Sequence, residues 1–126
     1  MMEKVQLYEF ENEQAFEDCL IQSDFVNWPY FQETLIMYPH KTLGIFENGK
    51  LVSAAKVHKD KSDILIIDAI ETRMDMRRKG YGKYLINLIK ENYACNSMCV
   101  KWTDETLKFW VNLQFQFNYD FNCMVR

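Results

Sequence analysis

At 126 residues the chain predicts one domain, 1–126, with a sizeable core and room for little else. Its net charge of −3, with both signs spread along the sequence, excludes an overall field that would recruit nucleic acid or an anionic membrane. No apolar run approaches the roughly 18 residues needed to span a bilayer, so neither class of partner is expected.

Met1-Met2-Glu3-Lys4 carries no basic-then-apolar leader, and the expected location is cytoplasmic. Residues 5–10 alternate apolar and polar as a first strand. Asn12 then caps a helix whose apolar stripe is Ala15, Phe16, Cys19 and Leu20. Residues 24–38 are rich in aromatics (Phe25, Trp28, Tyr30, Phe31, Tyr38), with Pro29 near a helix start and Pro39 ending it. Residues 42–47 and 50–57 flank Asn48-Gly49, the pair that supplies positive φ at both positions of a two-residue hairpin turn. Residues 59–63 turn the chain into 64–70, a β-branched run too short for a helix, which predicts a third antiparallel strand, largely buried.

Next comes Arg77-Arg78-Lys79-Gly80-Tyr81-Gly82-Lys83, between that strand and a helix marked by Tyr81, Leu85, Leu88 and Ile89 on one face. Two glycines one residue apart let consecutive backbone N–H groups converge, the helix adds its unpaired first-turn donors, and Arg77, Arg78, Lys79 and Lys83 add charge. The stretch is a phosphate cradle. A dinucleotide fingerprint would need glycine at Leu85, and the Gly-x-x-x-x-Gly-Lys-Ser/Thr loop is absent. Residues 98–102 read as a short strand, Thr103 as the cap of a helix carrying Leu107, Trp110 and Val111, and 115–126 as a terminal strand or narrow hairpin. Cys19, Cys95, Cys99 and Cys123 are scattered, without a Cys-x-x-Cys pair or a histidine nearby, so no metal site is expected and the thiols are free.

The pattern Arg77-x-x-Gly80-x-Gly82 resembles the acyl-coenzyme-A loop of the GCN5-related N-acetyltransferase (GNAT) family, and the element order β-α-α-β-β-β-α-β-α-β resembles that family over the whole chain. The resemblance implies an α/β (α+β) fold, a mixed, mostly antiparallel central sheet with flanking helices. It also implies acetyl-coenzyme A as cofactor, held by Arg77, Arg78, Lys79, Gly80, Tyr81, Gly82 and Lys83, with backbone groups of Ile70 and Thr72 beside the thioester. An acetyl group would pass directly to a primary amine of a small molecule or peptide, in a monomer or homodimer. The stretch 109–115 resembles a family signature in Phe109, Leu113 and Phe115, but Trp110 stands in place of the usual tyrosine acid, Gln114 in place of glycine and Thr103 in place of asparagine. A non-catalytic acyl-coenzyme-A sensor of the same fold is the alternative.

The candidate catalytic carboxylates are Asp68 and Glu71. A carboxylate in an apolar strand is costly to bury without a partner or a role. A side-chain period of two sends the pair to opposite faces, and Asp68 falls where related aminoglycoside enzymes carry a glutamate, which makes it the expected amine ligand or base, with Glu71 structural or at the pocket rim.

Overall fold

The computed structural model describes residues 6–22, 24–33, 36, 39–93, 95, 97–100, 106–118 and 123–126. Along the chain run β1 (Tyr8–Glu9), α1 (Glu13–Gln22), α2 (Pro29–Glu33), β2 (Lys41–Glu47), β3 (Lys50–Lys59), β4 (Ile64–Thr72), α3 (Tyr81–Asn92), β5 (Ser97–Val100), α4 (Leu107–Asn112), β6 (Gln116–Asn118) and β7 (Cys123–Val125). Short 3-10 turns lie at Phe25–Asn27 and Met74–Met76. Among the described residues one seven-stranded sheet has the order β1-β2-β3-β4-β5-β7-β6. Every neighbouring pair is antiparallel except β4 and β5, which are parallel, as a strand–helix–strand crossover through α3 requires. The expected mixed, mostly antiparallel sheet is present. Its tail is a pair of strands, with β7 inserted between β5 and β6.

Local chemistry sets several boundaries. The Ala15 N–H donates to Asn12 Oδ1 at 2.8 Å, the bond of an N-cap to the third helical residue. Asn48 and Gly49 have φ of 52° and 78°, the left-handed pair that a tight hairpin turn needs. The expected cap Thr103, along with Tyr38 and Tyr119, lies outside the described residues.

The sheet is packed on both faces. Leu43, Ile45, Val57, Leu65 and Ile67 meet Leu85, Ile86 and Ile89 of α3 on one side. On the other, Phe10, Phe16, Leu20, Trp28 and Phe31 pack with Leu51, Ala54 and Ala69, so Trp28 and Phe31 of the aromatic stretch 24–38 are core, whereas Phe25 and Tyr30 are exposed. There Lys56 is buried and pairs with Glu13 at the start of α1. Burial alone would push the Glu13 carboxyl up, but the hydrogen bond and charge of Lys56, with His40 in support, hold it below the ordinary carboxylate range.

One detail of β4 departs from the simple alternation. In the β3–β4 ladder Lys56 faces Ala69 and Val57 faces Ile67, which leaves Asp68 as an extra residue, a β-bulge. Leu65 and Ile67 belong to the α3 side, whereas Ala69 packs against α1 and α2. Asp68 and Glu71 therefore sit on the same face of the sheet, correcting the expectation of opposite faces: a period of two holds only while the ladder is unbroken. Among the described residues no helix is long and apolar enough to cross a membrane.

Candidate active site

The site lies along the second half of β4. β4 pairs with β5 only from Ile64↔Ser97 to Ile67↔Val100, but with β3 as far as Thr72↔Ser53. Among the described residues the ladder on the β5 side ends at Ile67↔Val100. The Arg73 N–H donates to the Val52 carbonyl at 2.9 Å, which by antiparallel alternation makes Glu71 and Ala69 the residues bonded to β3. Ile70 and Thr72 accordingly direct their N–H and C=O groups to the edge away from β3, the open edge among the described residues. The Thr72 carbonyl is reached there by Arg77 Nε at 3.1 Å. A cleft of about 790 Å³ lies along this part of β4, with residues 67–72 as its floor, the glycine loop and the start of α3 on one side, and Phe109 and Trp110 of α4 on the other.

The loop turns through two left-handed residues. Arg78 and Gly80 both have positive φ, 65° and 87°, and nothing lies within 4 Å of where a Cβ on Gly80 would stand. A left-handed residue with a side chain costs roughly 1–2 kcal/mol, which glycine avoids at position 80 and Arg78 bears. Gly82 has a different reason. A Cβ there would come within 3.2 Å of the Phe109 ring and 3.5 Å of Thr72 Oγ1, so this glycine lets α4 and β4 approach α3. Arg78 and Lys83 line the cleft and make no ion pair among the described residues. Lys79 is not on the cleft, and its Nζ lies 3.8 Å from Met76 Sδ. Arg77 lines it while donating to Thr72 and, through Nη2, to Glu71 Oε2 at 3.1 Å.

Both carboxylates border the cleft, and both are held. Asp68 Oδ2 is 2.7 Å from His58 Nδ1 on β3, with the Asp68 side chain 4% exposed. Sequence reasoning missed His58, because the contact depends on strand pairing and on the bulge that turns Asp68 toward it. Glu71 accepts the N–H groups of Tyr30 and Phe31, both at 2.9 Å, as well as Arg77. These are the second and third residues of α2, whose first residue is Pro29. Burial pushes the Glu71 carboxyl above its ordinary range, and the two N–H groups and the Arg77 charge pull back against that.

Trp110 is a core residue, 2% exposed, with Phe109 and Phe115 edge-on at 4.8 and 5.0 Å. Gln114 has φ of 70°. The bonds Phe115 N–H to Trp110 C=O (3.0 Å) and Gln114 N–H to Val111 C=O (2.9 Å) close α4 with a Schellman motif, the turn that favours glycine at this position. Of the described tyrosines, Tyr81 spends its hydroxyl on Glu47 and Tyr93 on Glu9, while Tyr30 stands at the cleft rim.

A family model for the acetyltransferase (GNAT) family matches residues 4–110. No curated protein sequence matches the chain. Among solved structures, YhhK from E. coli bound to coenzyme A is similar with a TM-score of 0.71 and 17% identity, over 98% of each chain. The Bacillus subtilis N-acetyltransferase YlbP in complex with coenzyme A gives 0.63 at 13% identity, over 98% of this chain and 96% of that one. The aminoglycoside N-acetyltransferase AAC(6')-Iy with the bisubstrate analogue CoA-S-monomethyl-acetylneamine gives 0.66 at 17% identity, over 91% and 92%. At these identities the likeness to solved structures is one of fold.

Proposed function

The chain belongs to the acetyltransferase (GNAT) family, and from that premise we propose that it moves an acetyl group from acetyl-coenzyme A to a primary amine of a small molecule or peptide by direct transfer. The observation that carries the reading is the cleft at the open half of β4, with an anion cradle at one end and a carboxylate, Asp68, on its floor. The residues present fit the cofactor: Gly80 leaves open space at a left-handed turn, and Arg78 and Lys83 stand beside it. Backbone N–H groups from Arg78 to Lys83 would hold the pyrophosphate, and the open-edge groups of Ile70 and Thr72 would pair with the pantetheine arm.

Bound acetyl-coenzyme A supplies an activated thioester carbonyl. The N–H groups on the open edge of β4 are placed to donate to the oxygen on which negative charge develops. Asp68, steadied by His58, takes the ammonium of the acceptor and removes the proton that blocks attack. Glu71, with three donors already on it, is a poor candidate for that work. Trp110 cannot act as an acid, since an indole N–H does not leave at neutral pH. A thiol of pKa about 8.5 needs no dedicated acid, and water in the cleft suffices.

The experiment is thiol release from acetyl-coenzyme A across amines that include an aminoglycoside, a polyamine and a peptide with a free N-terminus. Release with at least one amine supports transfer. Tight coenzyme A binding with release from none would favour the acyl-coenzyme-A sensor.

A further inference from the structure

Resting on the reading that the cleft takes coenzyme A, we propose that Glu71 is a positioning residue: with Arg77 it ties the α2 wall to the glycine loop, so that filling the loop tightens the wall. Three elements meet on this one carboxylate. Its side chain is 2% exposed, Oε1 accepts the Phe31 N–H at 2.9 Å, and Oε2 accepts the Tyr30 N–H at 2.9 Å and Arg77 Nη2 at 3.1 Å.

The arrangement follows from what each element lacks. α2 has five residues, too few to stand on its own backbone bonds. Its opening donors have no partner inside the helix, Pro29 has no N–H to offer, and Glu71 takes the next two. A buried carboxylate in turn needs a countercharge, and Arg77 supplies it from the start of the loop. A guanidinium has five donors in a fixed plane. Nε is spent on the Thr72 carbonyl and one Nη2 hydrogen on Glu71, which leaves donors for the cleft that Arg77 lines. An anion in the loop engages those donors while the other two bonds persist, so Arg77, Glu71 and the first turn of α2 are fixed together. By linkage the reverse holds, and an anchored α2 strengthens anion binding by the same factor.

The test is hydrogen exchange at the Tyr30 and Phe31 amides, read by NMR in the parent and in Arg77→Lys, with and without saturating coenzyme A confirmed by calorimetry. In the parent we expect protection at both amides to rise at least ~5-fold on saturation, the lower end of ordinary coupling between sites. In Arg77→Lys, which keeps the charge but cannot hold Glu71 and Thr72 and still reach an anion, saturation should bring no rise. Glu71→Gln should lower protection at both amides even without ligand. A parent that binds coenzyme A with unchanged protection, or an Arg77→Lys variant with the full gain, overturns the tie. Inorganic pyrophosphate separates this claim from the functional reading. Protection gained with pyrophosphate in a parent that does not bind coenzyme A keeps the tie and discards that reading, and no gain with either probe overturns the tie.

Discussion

Residues 64–67 and 68–72 belong to one strand, yet they live in different surroundings. The first half is paired on both edges, and its Leu65 and Ile67 are 2% and 3% exposed in the α3-side core. Among the described residues the second half is paired with β3 alone; it begins with a bulge and holds two carboxylates whose side chains are 4% and 2% exposed. A sheet interior satisfies its backbone groups by itself, whereas an open edge inside a fold leaves N–H and C=O groups needing a partner. The cleft lies along this second half, and the bulge is what aims Asp68 toward it.

The largest expected effects separate the halves cleanly. Leu65→Ala should cost about 3 kcal/mol of stability, as deleting a fully packed leucine does, and leave coenzyme A affinity unchanged; chemical denaturation and calorimetry check both parts. If that variant lost cofactor affinity at full stability, the division within β4 would be wrong. Asp68→Asn should do the opposite, lowering kcat ~10²-fold, or about 2.7 kcal/mol in barrier, with coenzyme A affinity intact. Steady-state kinetics showing a smaller loss for Asp68→Asn than for Glu71→Gln would assign the base to the wrong carboxylate.

How much of this was readable beforehand depended on distance along the chain. The Asn48-Gly49 hairpin, the Asn12 cap and the glycine loop are local, since each is decided by φ or by a donor two or three residues away, and the residue types announce it. The bulge is not local. It exists only in the pairing of β3 with β4, and nothing in residues 64–72 alone marks position 68 as the extra one. The partners of the two carboxylates were hidden for the same reason: His58 is on the neighbouring strand, and Tyr30 and Phe31 lie 41 and 40 residues upstream of Glu71. Gln114 is an intermediate case. Its resemblance to a glycine position pointed to a left-handed turn, and the φ of 70° supplies the reason.

Smaller effects sharpen the account of the open half. His58→Leu should lower kcat ~10-fold, in line with a hydrogen bond to a charged group worth roughly 1.5 kcal/mol. His58→Asn, whose amide can place a donor near Nδ1, should recover most of it. Equal losses in the two variants, with matching falls in melting temperature, would reduce His58 to a packing residue. The smallest effect lies away from β4. Gln114→Gly should stabilise the protein by about 0.5 kcal/mol, the left-handed penalty relieved less the extra chain entropy of glycine, and a lowered melting temperature would contradict the turn assignment.

The contrast within β4 is most directly tested by titrating coenzyme A into isotope-labelled protein and following backbone amide shifts. The largest changes should fall on Ile70, Thr72 and residues 78–83, with residues 64–67 nearly silent. Changes spread evenly along β4, or centred on the β1–β2 edge, would contradict it.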